Sequence, residues 1–448
     1  MKNILVLGAG LSTPYMIHFL LTEAEKYDWF ITVGDKDLSQ AQKSVQHHPR
    51  GTGIGFDIND AQSRLTQIAN ADVVISFLPP FYQYILGLTC ITQGKHLITA
   101  SYQDQRMDEM SMDAQRKGIL ILNEMGLDPG IDHMSAMNLI QEIKNNDGKI
   151  TSFKSYGSGL PAPDSTSNPL RYVITWNPRN VVMAGEAGAQ YREKGKVKIL
   201  PPHEVFHRTW NVILDGVGKM EAYPNRDALK YQTILGLEDA HTIIRGTLRY
   251  PGWSETWLQV VRLGLPNEEM QIPELNKYTY RDLVEMFLPP QAAGADLEHR
   301  LANFLHIHPT GKIMDNLNWL GLLSDEQITC SGNTSAEVMI DLIKKKLPLP
   351  ADARDMVAIV HELEVEYEKP KKQKEKITST FIEYGERGGF TAMAKTVGLP
   401  AALAAKLLLT GQLPISGCHI PTHPAIYTRI LAELKSAGFK FVEKREVV

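Results

Sequence analysis

Short apolar runs alternate with helical periodicity over the first 125 residues. Asn3 to Gly8 (NILVLG) is an apolar run ending in glycine, as a buried parallel strand should. A helical pattern follows from about Thr13, with Pro14 in the first turn, where a missing N–H costs little. Phe30 to Val33 reads as a second strand, followed by helical SQAQKSVQ, strand-like GIGF, helical AQSRLTQIA and apolar VVISFL. Two further helices lead to HLIT (His96 to Thr99) and ILIL (Ile119 to Leu122). Strands separated by such helices form right-handed βαβ units, so the pattern predicts a doubly wound α/β sheet.

Around Gly126 the rhythm changes. Strand-like TSFKSYG and YVITW are separated by a loop rich in proline and serine. From Asn225 to about Leu342 the pattern is mostly helical, with NRDALKYQTIL, RDLVEMFL and TSAEVMIDLIKKK as the clearer pieces. Met356 to Tyr367 and Ile377 to Tyr384 predict a β-hairpin, because Leu363, Val365 and Tyr367 alternate with glutamates. Its basic connection, KPKKQKEK, suits a solvated hairpin tip. The tail from Gly389 returns to helices, and AMAKTVGLPAALAAKLLL is apolar enough to pack against something large.

At 448 residues, 43% hydrophobic and 22% charged, the chain suits a globular enzyme of two or three domains. A net charge of −4 gives no electrostatic case for nucleic acid or an anionic membrane as partner. Cys90, Cys330 and Cys418 lie far apart, which predicts a reducing compartment without disulfides or zinc. The first strand begins at Lys2, and no run approaches 18 consecutive apolar residues, so a soluble cytoplasmic protein is expected. His203 and His207 have i, i+4 spacing but no evident third ligand, so no metal is expected.

Candidate chemistry lies in two places. Gly8-Ala9-Gly10-Leu11 follows a strand and opens a helix; the glycines allow a tight turn and close approach of a pyrophosphate to the helix N-terminus. Thr13 stands where the third glycine of this fingerprint is usual. Asp35 ends the second strand, where a carboxylate accepts from ribose hydroxyls and repels a 2′-phosphate, favouring NAD. Lys36 beside it can accommodate that phosphate, so NADP stays open. Asp57 and Ile58 fall where adenine rests. Some 200 residues on, Arg226 and Arg249 stand among aromatics, glycines and turn formers. Each guanidinium is a planar fork for a carboxylate, which implies a substrate with more than one. Ion-paired structural arginines are the alternative.

With these residues in view, nearly the whole chain resembles the glutamate-forming saccharopine dehydrogenases, also called saccharopine reductases. The resemblance rests on ITASY (Ile98 to Tyr102), NEMGLDPGIDHM (Asn123 to Met134), SYGSGLPAP (Ser155 to Pro163) and NPLRYVITWNPR (Asn168 to Arg179). It continues through YPNRDAL, RGTLRYPGW and AMAKTVGLP. It implies a Rossmann domain (1–125, completed by 389–448), an α/β substrate and dimerisation domain (126–224 and 343–388) and a mostly helical domain (225–342). The implied reaction joins glutamate to 2-aminoadipate 6-semialdehyde and reduces the imine to saccharopine, or the reverse, in a homodimer.

By the same resemblance the cofactor would meet Gly8, Ala9, Gly10, Leu11, Gly34, Asp35, Lys36, Asp57, Ile58, Ala100, Ser101, Leu127, Asp128, Pro129 and Asn177. Saccharopine would meet Ser101, Tyr102, Asp128, Arg226, Thr247, Leu248 and Arg249. Three departures stand out. Asp35-Lys36 replaces Cys-Arg, Gly157 replaces a cysteine, and Leu78-Pro79-Pro80 replaces an IPY-type segment.

Imine reduction asks mainly for alignment. Asp128 can favour the iminium, or it can simply cap its turn before proline. Tyr102 can relay a proton or only wall the pocket. Asp132 and His133 begin a helix and read as capping residues rather than catalysts. A polyamine-type imine reductase such as carboxynorspermidine dehydrogenase, and a non-catalytic dinucleotide sensor, are the alternatives. Retention of both arginines and Asp128 argues against each.

Overall fold

The N-terminal apolar runs pair as strands β1 (Lys2–Leu7), β2 (Trp29–Asp35), β3 (Gly51–Gly55), β4 (Val73–Ser76), β5 (His96–Thr99) and β6 (Leu120–Leu122). In this computed structural model, which describes residues 1–368 and 372–448, they form one sheet in the order β3-β2-β1-β4-β5-β6. Every pairing is parallel. Gly417–His419 adds a seventh parallel strand beside β6, so the C-terminal segment completes the sheet. The order reverses between β1 and β4, and the carboxyl ends of those strands flank the crevice where such sheets take ligands.

The chain divides into two compact units, the first mainly Met1–Lys149 with Phe381–Val442, the second mainly Ile150–Glu366. In the first unit the helix Ala392–Leu409 has the length and hydropathy of a membrane span, but 72% of it is buried within the protein. It packs on the helix Pro14–Glu23 through Gly398. A Cβ there would lie 2.9 Å from the Met16 Cβ and 3.1 Å from the Ser12 carbonyl. Close approach next to the nucleotide loop therefore depends on Gly398, while Thr13, buried, bonds the Gly10 carbonyl at 2.9 Å.

The second unit holds the larger, ten-stranded sheet. Thr242–Arg249 runs antiparallel to Gly218–Pro224 on one side and parallel to Gly148–Pro161 on the other. The expected helical stretch from 225 thus opens with an interior strand. Its apolar signature is interrupted by Arg245 and Arg249, both buried, so the run did not read as a strand. NRDALKYQTIL is helical only over Lys230–Ile234, and Arg226–Asp227 is a short strand beside Ala189–Glu193. YVITW is not a strand either. Only Ile174 makes a bridge, to Pro348, and the segment is buried by side-chain packing instead of a ladder.

The helices between Trp253 and Lys346 fall within this second unit. Two of them start with reciprocal capping boxes, Thr279 with Asp282 and Thr334 with Glu337. The hairpin strands are Asp355–Tyr367 and Gln373–Tyr384, neighbours in the sheet. Lys369, Pro370 and Lys371 of the basic connection lie outside the described residues.

Candidate active site

The glycine-rich loop sits at the carboxyl end of β1. Gly8 has φ +98°, a conformation costly for any residue with a Cβ, and its N–H donates to the Gly34 carbonyl at 2.8 Å. Nothing lies within 4 Å of a Cβ built on Gly10, so the backbone is open to a phosphate there. Asp35 accepts from the Ala9 N–H (2.8 Å) and the Asp37 N–H (2.9 Å). The Gln40 amide holds the Ala9 carbonyl at 2.5 Å. Asp35 therefore fixes the loop from the end of β2. Leu11 and Lys36 are exposed, Asp57 closes a turn onto the Asn59 N–H at 2.9 Å, and Ile58 is buried. These features fit a dinucleotide: an open glycine cradle, a helix N-terminus and a carboxylate at the strand end.

At the carboxyl ends of β5 and β6, the chain brings Tyr102 and Asp128 together. The backbone ladder continues past both strands, with Met125 N–H to the Thr99 carbonyl (2.9 Å) and Glu124 N–H to the Ser101 carbonyl (3.0 Å). The next turn closes through Gly126 N–H to Pro129 O and Ile131 N–H to Gly126 O. Gly130, at φ +146°, must be glycine, since a Cβ would sit 2.0 Å from the Gly126 carbonyl oxygen. The Asp128–Pro129 peptide is cis. From this turn the half-buried Asp128 accepts the Tyr102 hydroxyl at 3.1 Å. Ala100 and Ser101 are partly exposed beside them, while Leu127 and Pro129 are buried.

Beneath this pair lies a cluster absent from the sequence reading as a unit. His133 Nε2 meets Glu124 Oε2 at 2.9 Å and its Nδ1 meets Asp132 Oδ2 at 3.0 Å. All three are buried. Burial alone would drive the imidazole to its neutral form, but Asp132 and Glu124 outweigh it and raise His133 to about 9. Asp132 does cap its helix start, accepting the Gly130 N–H at 2.7 Å.

The second unit carries the arginines. Arg249 is only 3% exposed. Its Nη1 donates to the Ser158 hydroxyl (2.6 Å) and the Leu248 carbonyl (2.8 Å). Its Nε is buried with no partner among the described residues. The guanidinium lies over Tyr172 (4.6 Å), Trp253 (5.4 Å) and Tyr223 (5.7 Å). Burial pushes the Tyr223 phenol up, against the pull of Arg249. A buried cation among aromatic rings, whose hydrogen-bond partners are neutral, has the capacity to pair with an anion.

Arg226 does not sit beside it. Asn225 N–H bonds the Arg245 carbonyl at 2.9 Å, which places Asn225 four positions along the strand from Arg249, about 13 Å at strand rise, and Arg226 follows it in a short strand paired with Ala189–Glu193. Arg226 is exposed, with φ +51°, an uncommon conformation for a residue with a side chain. Of the two arginines, Arg249 is therefore buried and Arg226 exposed. Thr247 is partly exposed and bonds Tyr223, whereas Leu248 turns into the core, offering only a backbone carbonyl already taken. Asn177 caps the short helix Pro178–Val182 through the Arg179 N–H at 3.0 Å. His207 faces Glu204 at 3.1 Å, and among the described residues no group of three side chains could hold a metal ion.

Tyr172, Trp253 and Ser158 were missed as site residues. They lie in NPLRYVITW, RGTLRYPGW and SYGSGLPAP, so the signal was present, but nothing in one dimension says that three distant blocks enclose one guanidinium.

Two family profiles match the chain. One describes the saccharopine dehydrogenase NADP binding domain, over residues 4–122, and the other the saccharopine dehydrogenase C-terminal domain, over residues 126–439. The alpha-aminoadipic semialdehyde synthase of Arabidopsis thaliana is 33% identical over 96% of this chain, which spans only 42% of that relative. The saccharopine dehydrogenase [NADP(+), L-glutamate-forming] of Schizosaccharomyces pombe is 31% identical over 99% of both chains. Among solved structures, the apo saccharopine dehydrogenase (L-Glu forming) from Saccharomyces cerevisiae superimposes with a TM-score of 0.87 at 30% identity, covering 100% of each chain.

Proposed function

The chain belongs to the saccharopine dehydrogenase family, and on that premise we propose that it interconverts saccharopine with glutamate and 2-aminoadipate 6-semialdehyde. The observation that carries this reading is Arg249: a buried guanidinium whose bonded partners among the described residues are neutral. A dicarboxylate or tricarboxylate substrate supplies the missing charge. Arg226, which follows Asn225 four strand positions from Arg249, suits the far carboxylate of a long molecule with carboxylates at both ends, as saccharopine is.

Gly8, Gly10 and the Ala9–Asp35 contact would hold a nicotinamide dinucleotide, which when bound supplies or accepts the hydride. The family profile is named for NADP, while Asp35 supports NAD. Asp128 stabilises positive charge on the substrate nitrogen, and Tyr102, bonded to it, orients that carboxylate and can pass it a proton. Arg249 and Arg226 bind and align carboxylates and move no protons. A homodimer in the cytoplasm is part of this reading; the free and buried Cys90 and Cys418, whose thiols burial pushes up to about 12, agree with a reducing compartment.

The test is direct. Purified protein is mixed with saccharopine and either NAD or NADP, and the reduced nicotinamide is followed by absorbance. Saccharopine-dependent reduction is expected. Its absence with both cofactors, in protein that binds dinucleotide, overturns the reading.

A further inference from the structure

Three ionisable side chains behind the Tyr102–Asp128 pair are withdrawn from water, Glu124 and Asp132 at 3% exposed and His133 at 2%. Apolar residues of similar volume usually serve stability as well as a buried charged cluster does, so a cluster here calls for another role. Each oxygen of its carboxylates has a task. Glu124 Oε2 and Asp132 Oδ2 face the two nitrogens of one imidazole. Glu124 Oε1 accepts the Gln103 N–H at 3.0 Å, and Asp132 Oδ1 accepts the Gly130 N–H at 2.7 Å. Gln103 directly follows Tyr102, and Gly130 ends the turn that presents Asp128. Glu124 itself has φ +61°, uncommon outside glycine, and its N–H is fixed to the Ser101 carbonyl.

We infer that Glu124, His133 and Asp132 act as one positioning unit: His133 couples the backbone beside Tyr102 to the turn carrying Asp128, so that their contact is set for turnover. The three touch neither substrate nor cofactor in this scheme; they act through Tyr102 and Asp128. The raised His133 pKa agrees with an imidazolium that donates to both carboxylates at neutral pH. This inference rests on the proposed function, because turnover is what the unit controls.

Glu124 is the residue to vary. Glu124→Ala removes both the Gln103 clamp and the imidazole contact. Glu124→Gln keeps an acceptor for the Gln103 N–H and offers an amide donor to a neutral His133 Nε2. Saccharopine oxidation at saturating substrate and cofactor should fall about tenfold in kcat for Glu124→Ala, with the nicotinamide KM within about twofold of wild type. Glu124→Gln should recover most of that loss. In an Asp128→Asn background, Glu124→Ala should cost less than about twofold, since its effect passes through Asp128.

An unchanged kcat in folded Glu124→Ala, equal losses in the Ala and Gln variants, or the same factor in both backgrounds overturns the inference. If Glu124→Ala does not fold, Glu124→Asp carries the same comparison. Its carboxylate is one methylene short and cannot satisfy both partners; a kcat loss that vanishes with Asp128→Asn supports the unit, and one that persists overturns it. Wild-type protein that fails to oxidise saccharopine removes the proposed function and this inference with it, whereas normal wild-type turnover with additive variants removes the inference alone.

Discussion

The Tyr102 hydroxyl donates to a carboxylate oxygen of Asp128 at 3.1 Å, joining residues 26 positions apart at the carboxyl ends of neighbouring strands. On the proposed function, this phenol and carboxylate make an acid–base pair for the substrate nitrogen. Asp128→Asn should lower kcat/KM for saccharopine oxidation by about 10²-fold while dinucleotide affinity stays near wild type. Tyr102→Phe should lose less, and the double variant little more than Asp128→Asn alone. Steady-state kinetics with fluorescence titration of the dinucleotide measure both effects. Normal turnover in Asp128→Asn would return the residue to a turn-capping role.

Arg249 makes a prediction in which binding and stability part company. Removing one partner of a buried, charge-assisted pair costs about 2–5 kcal/mol, so Arg249→Met should raise the saccharopine KM at least about 30-fold. The nicotinamide KM should hardly move. Because the guanidinium is buried against neutral partners in the free protein, Tm should stay level or rise. Arg249→Lys should recover only part of the binding, having charge without the planar fork. A clear drop in Tm with saccharopine KM unchanged means that Arg249 is structural.

Cofactor choice hangs on Asp35. Its carboxylate, fixed by the Ala9 and Asp37 N–H groups, cannot swing away from a 2′-phosphate without releasing the loop. NAD should be preferred by at least about tenfold in kcat/KM, equivalent to about 1.4 kcal/mol. Parallel assays with the two cofactors decide the matter. Equal efficiency, or an NADP preference, shows that the exposed Lys36 prevails.

The His133 cluster predicts how stability depends on pH. The folded imidazolium is held at about 9 against an ordinary value of 6.5, by carboxylates that outweigh the burial opposing it. Its stabilising contribution is therefore complete below pH 6.5 and is lost as pH rises through about 9. Denaturant midpoints of wild type and His133→Gln should differ most near pH 6 and converge above pH 9, as about one proton is released. A difference that stays constant across this range means the imidazole does not titrate with folding.

Gly398 links the C-terminal helix to the nucleotide loop. A Cβ would already meet the Met16 Cβ at 2.9 Å, so the branched side chain of Gly398→Val must push the helices apart. A loss of about 1–3 kcal/mol is expected, along with weaker dinucleotide binding because the Ser12 carbonyl is the other contact. Thermal denaturation with and without cofactor reads both. Unchanged stability would mean that the packing there yields freely.

Much of the first unit was legible along the chain. AQSRLTQIA became the helix Ala61–Ala69 and HLIT the strand His96–Thr99, because strands buried on both faces and short helices leave distinct local periods. The nucleotide loop was legible too, since glycine where the backbone turns sharply is a local requirement. Local periodicity failed at Thr242–Arg249, where two buried arginines disguise an interior strand, and at YVITW, whose burial comes from packing without a ladder.

The sequence by itself determined the alternating α/β start, the glycine cradle with Asp35 at its strand end, and arginines suited to carboxylates. Each is a property of a few neighbouring residues. Only the tertiary structure decided that Arg249 is caged and Arg226 exposed, that Tyr102 meets Asp128, and that Glu124, His133 and Asp132 form one buried cluster. Burial, and the partner a charge finds, depend on which distant segments fold onto it, and no local pattern encodes that.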